Sequence, residues 1–224
     1  PPRSTLFPYT TLFRSSDAGQ REEAENLLAF LTPICKAFMT ETGLEVTNHG
    51  MQVFGGHGYI REWGMEQLVR DCRIAPIYEG TNGIQALDLL GRKVLGSQGK
   101  LLRGFTKIVH TFCEANAGHP QLKGFVAQLS GLNKQWGELT THIGMAAMKN
   151  PDEVGAAALD YLMYSGYIIL GYLWLRMALV AQTQLEDGSG EADYCQAKLA
   201  TCSFYFKRLL PRTGALAAVT NSCS

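Results

Sequence analysis

Two short segments of this 224-residue chain combine residue types that could take part in chemistry. The first is the glycine-rich run Gln52-Val53-Phe54-Gly55-Gly56-His57-Gly58-Tyr59, and the second is Ile77-Tyr78-Glu79-Gly80-Thr81. Because glycines have no side chain to block a ligand, backbone amides in the first segment can approach a phosphate or a flavin edge. A carboxylate such as Glu79, in a turn between apolar residues and away from water, can act as a base. Each segment alone indicates little, since most glycine turns only connect helices.

Helices are predicted on both sides of the glycine run. Apolar residues recur at helical spacing through residues 22–54, which predicts one kinked helix or two consecutive helices around Pro33. A short helix follows over residues 66–75 and ends at Pro76. The glycine run therefore lies in the connection between two helices.

A turn and a further helix follow the second segment. Residues 78–83 are predicted to form the turn, and the apolar residues after it recur at near-helical spacing. The four residues predicted to share the buried face of that helix are Ile84, Leu87, Leu90 and Val94. The glycines and serine of residues 96–99 predict a linker to the second half of the chain.

The second half has the pattern of an antiparallel helical bundle. Residues 101–112 and 125–143 place apolar side chains at steps of three and four. The run Asn150-Pro151-Asp152-Glu153 is a helix start, with a capping residue, a proline in the first turn and an acid three residues after the cap. A last helix is predicted over residues 191–210 before Pro211. No alternation typical of strands follows residue 16, so the fold class is all-α: a helical bundle and then a second antiparallel bundle of about four helices.

Composition excludes several classes of protein. With 46% hydrophobic and 18% charged residues the chain is not generally disordered, and equal numbers of acidic and basic residues, 20 each, speak against nucleic acid as a partner. The apolar stretch 161–175 is shorter than the roughly 20 residues a bilayer span needs, so we expect no membrane span. The six cysteines form no metal-ligand pattern, which predicts no metal site, free buried thiols and a reducing, cytoplasmic location.

The two segments in their order and spacing resemble a known family. The run QVFGGHGYIREWGMEQLVRDCRIAPIYEGT resembles the C-terminal helical domain of the acyl-CoA dehydrogenase family. The sequence before it and the long tail resemble a longer subgroup that includes 3-methylmercaptopropionyl-CoA dehydrogenases, in which an extra helical domain follows the catalytic one. The resemblance implies a partial catalytic helical domain over residues 17–98 and an additional helical domain over residues 99–224. Residues 1–16 resemble translated sequencing-adapter DNA, so we expect a non-native segment and a natural protein that begins upstream.

The resemblance also implies a reaction and its residues. It implies α,β-desaturation of an acyl-CoA thioester in fatty acid metabolism, with FAD as cofactor. Glu79 matches the base that removes the α-proton while the β-hydrogen leaves as hydride to the flavin, and Gly80 matches a substrate-binding position. The residues matched to FAD binding are Gln52, Val53, Phe54, Gly55, Gly56, Thr81, Asn82 and Gly83. The glycine run typically serves a flavin in a neighbouring subunit, and Gly83 departs from the family, which often has glutamine there.

Partners and alternatives complete the prediction. The resemblance implies a homo-oligomer and an electron-transfer flavoprotein or similar acceptor, and we expect the tail to act in oligomerisation and at the substrate entrance. We expect this polypeptide alone to be inactive, because the segments that the family uses to hold flavin and acyl chain are missing from it. One alternative is a DNA-associated flavoprotein of the same superfamily, which the neutral charge disfavours. The other is a non-catalytic helical interaction module, which the complete Tyr-Glu-Gly-Thr motif disfavours.

Overall fold

The computed structural model describes residues 15–222, and no strand occurs among them, which confirms the all-α prediction. The α-helices in chain order are α1 Ala18–Phe54, α2 Gly56–Tyr59, α3 Met65–Ile74, α4 Asn82–Leu87, α5 Lys100–Ala115, α6 Lys123–Lys149, α7 Asp152–Asp187, α8 Ala192–Phe204 and α9 Thr213–Thr220. Two stretches are π-helical, Asp88–Leu95 and Tyr205–Leu209, and two are 3-10 helical, Arg61–Trp63 and Leu210–Arg212. The segment predicted to be non-native lies almost wholly outside the described residues, as does Cys223.

The chain divides after Phe105 into two compact units. The N-terminal unit contains α1 to α4 and the start of α5, and the C-terminal unit contains the remainder of α5 through α9. The predicted domain boundary between residues 98 and 99 lies a short distance earlier, in the turn before α5.

Helix α1 is the central helix of the N-terminal unit. It begins at a cap, where the Asp17 carboxylate accepts hydrogen bonds from the backbone N–H groups of Gly19 and Gln20 at 2.7 and 3.2 Å. It then continues through Pro33, so the apolar pattern of residues 22–54 belongs to one helix. Helices α2, α3 and α4 and the π-helical stretch all pack against α1. The buried apolar residues of this unit are Phe30, Ile34, Ala37, Phe38, Ala86, Leu89, Leu90, Val94, Leu102 and Phe105.

The buried face after Thr81 differs from the predicted one. Leu90 and Val94 are buried as predicted, but Ile84 and Leu87 are exposed. The reason is the change from α to π geometry: Gly96 N–H donates to the Gly91 carbonyl, five residues back, at 2.8 Å. A wider turn rotates the following side chains relative to an α-helix, so one α-helical face cannot continue through both stretches. The predicted turn is also shorter than expected, because Asn82 and Gly83 already belong to α4.

The C-terminal unit is a bundle around α7, against which α6, α8 and α9 pack. The predicted start of α7 is present: Asn150 Oδ1 accepts from the Asp152 N–H at 3.2 Å, and Asn150 Nδ2 lies 3.4 Å from Glu153 Oε1. The helix ends at Gly188, whose φ of 69° is the left-handed value that favours glycine. Trp136, Tyr161 and Ile168 are fully buried, and the Tyr161 hydroxyl lies 2.7 Å from Thr140 Oγ1.

The last helical segment extends further than predicted. After α8 the chain passes through the π-helical turn and the 3-10 turn that contains Pro211, and then forms α9, which the sequence analysis did not identify. Cysteines within the described residues are free thiols, but only Cys113, Cys195 and Cys202 are buried. The expectation that the thiols are buried is therefore wrong for Cys35, which is exposed.

Two described helices, α1 and α7, are long and apolar enough by length and composition to cross a membrane. The core helix of a helical bundle meets the same criteria, so one or two such helices are weak evidence for a membrane span. In α7 56% of the apolar window is buried within the protein, and in α1 28%. The packing of α7 accounts for its apolar sequence, and the absence of a membrane span stays a prediction.

Candidate functional site

Glu79 lies at the tip of a tight loop between α3 and α4. The Ile77 and Tyr78 N–H groups donate to the Ile74 carbonyl at 2.9 and 3.2 Å, and the Asn82 N–H donates to the Pro76 carbonyl at 3.1 Å. Glu79 has φ of 53°, a left-handed conformation that L-residues other than glycine adopt at a cost of about 1 kcal/mol. Among the non-glycine residues within 15–222, only Glu79 and Gln98 have a positive φ. Strain of this kind persists where the surroundings over-determine it, which is common at functional sites.

Gly80 and Thr81 complete the loop. Gly80 has φ of 87°, a conformation that favours glycine, and the only atoms near a Cβ there would belong to the end of the flexible Gln85 side chain, with Nε2 at 2.7 Å. The Thr81 hydroxyl accepts from the Ile84 N–H at 3.4 Å and caps α4. Gly83 leaves open space, since the atom nearest to a Cβ there is Thr81 Oγ1 at 4.0 Å.

The side chain of Asn82 anchors this loop to α1. It is 5% exposed, and its Oδ1 accepts from Lys36 Nζ at 2.9 Å. Its Nδ2 donates to Glu41 Oε1 at 2.8 Å and to Thr40 Oγ1 at 3.1 Å. The side chain that the resemblance assigned to FAD binding therefore uses both of its polar ends within the unit, and its backbone N–H is bonded to the Pro76 carbonyl.

The glycine run forms the end of α1 and the short helix α2. Gly55 has φ of 60° and ends α1, with its N–H donating to the Gln52 carbonyl at 3.1 Å. A Cβ at Gly55 or Gly56 would meet no atom within 4 Å, so the surface in front of both residues is open. Gly58 differs, because a Cβ there would lie 2.5 Å from the Met51 carbonyl oxygen. Gly58 thus allows α2 to fold back tightly, whereas Gly55 and Gly56 present backbone to an open surface.

Side chains around the glycine run are exposed. Gln52, Val53 and Phe54 point outward, with Val53 85% exposed. The His57 ring is exposed and contacts the Trp63 ring edge-on, with the ring centroids 5.5 Å apart. These positions are accessible to a ligand or to another protein surface.

The structure does not bring the two segments together. Asn82 docks on α1 at residues 36–41, whereas Gly55 is at the C-terminal end of the same helix, about 20 to 30 Å along its axis at 1.5 Å per residue. The Glu79 loop and the glycine run therefore cannot contact the same few atoms of a ligand from one copy of the chain.

Glu79 is not in the water-poor setting that the sequence led us to expect. Its side chain is exposed, and no described residue of the N-terminal unit covers it. Apolar residues around it are exposed as well, including Ile77 at 46% and Tyr78 at 49%. The large apolar side chains exposed on this unit after residue 50 are Val53, Phe54, Tyr59, Ile60, Trp63, Leu68, Ile74, Ile77, Tyr78, Ile84 and Leu87. So much apolar surface is typical of a face that another chain segment or subunit covers.

A cleft of about 290 Å³ lies elsewhere in the N-terminal unit. It is lined by Glu25, Leu28, Ala29, Thr32, Pro33, Asp88, Arg92 and Lys93. None of the predicted site residues lines it, so it is separate from both segments. Among the described residues no cluster of His, Cys, Asp and Glu could hold a metal ion.

Three residues with a role at the loop were missed by sequence reasoning. Lys36, Thr40 and Glu41 hold Asn82, and nothing in the local sequence distinguishes them from other polar residues of α1. Only the packing of α4 against α1 shows which polar positions face the loop.

Helical packing and a strained glutamate loop define an all-α module that presents the two candidate segments at separate places. Comparison with known proteins is in agreement. Residues 11–95 match the family described as "Acyl-CoA dehydrogenase, C-terminal domain", and residues 105–224 match "Acetyl-CoA dehydrogenase C-terminal like". The chain belongs to the acyl-CoA dehydrogenase family. The first match begins inside the segment predicted to be non-native, and the gap between the matches includes the turn before α5.

Individual relatives support the same assignment. The chain is 37% identical to the 3-methylmercaptopropionyl-CoA dehydrogenase of Ruegeria pomeroyi, over 85% of this chain and 32% of that protein. It is 30% identical to the broad-specificity linear acyl-CoA dehydrogenase FadE5 of Mycobacterium tuberculosis, over 92% of this chain and 36% of that protein. It is 28% identical to a butyryl-CoA dehydrogenase of Syntrophomonas wolfei, over 91% of this chain and 35% of that protein. The chain thus spans about a third of the length of these relatives.

Proposed function

We propose that this chain is the C-terminal part of an FAD-dependent acyl-CoA dehydrogenase, in which Glu79 is the base that removes the α-proton of an acyl-CoA thioester. The observation that carries the proposal is the strained, closed loop that holds Glu79 at its tip, in the position where the family motif has its catalytic carboxylate. Gln98 has a similar φ in a turn that carries no such motif, so the conformation supports the proposal only together with the motif.

The exposed apolar residues around Glu79 explain how its carboxylate becomes an effective base. Substrate, cofactor or a further segment that covers Ile77 and Tyr78 also removes water from Glu79. In the reaction, the Glu79 carboxylate takes the α-proton, the β-hydrogen leaves with its electron pair, and the Cα–Cβ double bond forms. Thioester polarisation must be supplied by hydrogen-bond donors aimed at the carbonyl oxygen.

Residues of the glycine run fit a dinucleotide cofactor. Gly55 and Gly56 leave open space in front of the backbone, and Val53 and Phe54 offer exposed apolar surface beside it. Thr81 and the backbone of Gly83 would contact the cofactor from the loop. Bound FAD supplies the two-electron acceptor for the β-hydrogen.

The distance between the two segments supports an oligomeric site. Since Asn82, which anchors the Glu79 loop, and Gly55 lie at different levels of α1, we propose that the glycine run serves the flavin of a neighbouring copy, as in the family pattern. Each flavin would then be held by residues of two subunits, and an electron-transfer flavoprotein or similar acceptor would reoxidise it.

Replacement of the base tests the proposal. In the full-length protein, Glu79→Gln keeps the size and conformation of the side chain but removes its basicity. We expect dye reduction by acyl-CoA to fall by at least about 100-fold, while the visible absorbance of bound FAD is retained. The measurement is steady-state dye reduction with a series of acyl-CoA chain lengths.

Glu62→Gln is a matched control on an exposed 3-10 turn, and we expect it to retain wild-type activity. Wild-type activity of Glu79→Gln would contradict the base role, and dye reduction by this chain alone in the presence of FAD would contradict the need for the rest of the protein.

A further inference from the structure

The amide of Asn82 lies between two opposite charges. The Lys36 ammonium, which can only donate, faces Oδ1, and the Glu41 carboxylate, which can only accept, faces Nδ2. The Thr40 hydroxyl donates to the Lys36 carbonyl at 2.8 Å and accepts the second Nδ2 hydrogen. A flipped amide would place donor against donor and acceptor against acceptor. The charges therefore select one orientation of this side chain.

The same residue closes the loop through its backbone. The Asn82 N–H donates to the Pro76 carbonyl, so the two ends of the loop are joined at Asn82. Only Gly80 and Thr81 separate it from Glu79, and Gly80 has φ of 87°. A shift of Asn82 on α1 must therefore move the Glu79 carboxylate or relax its strained backbone.

We propose that Asn82, oriented by Lys36 and Glu41, is a positioning residue for the Glu79 carboxylate and that its side chain is not a cofactor ligand. This inference rests on the proposed function, in which Glu79 is the base. It follows from the part-buried network around the buried Asn82, which uses the polar atoms of the amide and ties the loop to the middle of α1. Misplacement of a reacting group by about 1 Å can cost on the order of 100-fold in rate.

A donor–acceptor reversal in the full-length, FAD-loaded protein tests this proposal. Asn82→Asp keeps the acceptor that faces Lys36 but places a second carboxylate against Glu41. We expect kcat to fall at least tenfold with KM changed less than threefold, and the isotope effect on α-deuterated acyl-CoA to rise, because proton removal becomes more rate-limiting. Adding Glu41→Gln provides an amide donor toward Asp at position 82 and restores the total charge, so we expect kcat of the double variant to return to within about threefold of wild type.

Asn48→Asp is the matched control, since Asn48 lies on the exposed side of α1 and its side chain donates to the Leu44 carbonyl of the same helix at 2.8 Å. We expect its kcat and isotope effect to equal those of the wild type. Thermal unfolding of each variant shows whether it is folded. If Asn82→Asp does not fold, Lys36→Met removes the donor at the other end of the amide and is expected to raise the isotope effect in the same direction.

The outcomes separate this proposal from the proposed function. Wild-type kcat and isotope effect in Asn82→Asp, or in Lys36→Met where the first variant does not fold, would overturn the positioning role even with Glu79→Gln inactive. Failure of Glu41→Gln to rescue Asn82→Asp would also overturn it. Loss of FAD from Asn82→Asp with normal turnover in the fraction that retains FAD would identify a cofactor ligand instead. An active Glu79→Gln, or an inactive wild type, would overturn the proposed function and this inference with it.

Discussion

At the scale of single residues, the conformation of Glu79 carries information that its type does not. A glutamate before a helix is ordinarily a solvated residue that interacts with the helix dipole. Here the residue has positive φ, is followed by a glycine with positive φ, and lies in a loop closed by the Asn82 N–H. Glycine and asparagine are the residues that adopt positive φ most readily, so they are the residues expected at such a position. The presence of glutamate there favours a role for the carboxylate.

Glycine at position 79 should therefore improve stability and abolish function. We expect Glu79→Gly to raise the free energy of unfolding by up to about 1 kcal/mol, because glycine adopts positive φ without strain. Urea denaturation measures the change in stability, and dye reduction in the full-length protein measures the loss of activity.

Gln98 provides the matched comparison, since its φ of 52° is close to that of Glu79 and it lies in the turn before α5. We expect Gln98→Gly to give a similar gain in stability with unchanged activity. A Glu79→Gly variant less stable than the wild type would show that the side chain makes stabilising contacts that outweigh the strain.

At the scale of elements, the glycine run combines two different requirements for glycine. Gly58 is required by packing, because a Cβ would overlap the Met51 carbonyl, whereas Gly56 has open space in front of it. The sequence shows both as glycines of one run and does not distinguish them. Only the fold of α2 onto the end of α1 separates the structural glycine from the accessible one.

Alanine at Gly58 should affect stability, whereas alanine at Gly56 should affect cofactor binding. We expect Gly58→Ala to lower the thermal midpoint clearly, because the clash is with backbone and cannot be relieved by a side-chain rotation. Gly56→Ala should leave the thermal midpoint of the purified chain unchanged and weaken FAD binding by the full-length protein. FAD titration with unchanged affinity in Gly56→Ala would exclude close approach of the cofactor to this residue.

Buried thiols in the C-terminal unit predict alkaline sensitivity. Burial raises the pKa of the Cys113 and Cys202 thiols to about 11 each. A raised pKa favours the protonated thiol in the folded state, so stability is complete below pH about 9, the ordinary thiol range, and falls as the pH rises toward 11. The expected observation is a decrease in the urea midpoint of the purified chain between pH 9 and 11.

Removing the two thiols should flatten this dependence. Cys113→Ala with Cys202→Ala leaves cavities that lower stability at every pH, but the slope between pH 9 and 11 should become smaller. A remaining slope is expected at higher pH, because burial also raises the pKa of Tyr161 above its usual range. Equal slopes in the wild type and the double variant would show that other groups control the alkaline transition.

At the scale of the whole molecule, each unit exposes apolar surface that its own core does not use. On the C-terminal unit the exposed large apolar side chains include Leu173, Met177 and Val180, spaced by four and three residues along α7. This spacing places them on one face of the helix. This exposed apolar face motivates the hypothesis that the tail acts in oligomerisation.

Charge on this face should disrupt the assembly. In the full-length protein we expect Met177→Glu with Val180→Glu to lower the subunit number measured by size-exclusion chromatography with light scattering, while leaving the helical content unchanged. Removal of the whole tail after Phe105 should have the same effect. An unchanged subunit number in both variants would refute the role in oligomerisation and leave only the substrate-entrance half of the hypothesis.

The sequence by itself determined the helical class, most helix boundaries and the two segments with chemical potential. It could do so because periodicity, capping residues and glycine placement are local properties, as in the Asn150 helix start. Tertiary structure alone decided that Ile84 and Leu87 are exposed, that Asn82 is bound by α1, and that this anchor of the Glu79 loop lies about 20 to 30 Å along α1 from the glycine run. These facts depend on which faces of distant segments meet, and that choice is set by packing of the whole unit, which no local pattern encodes.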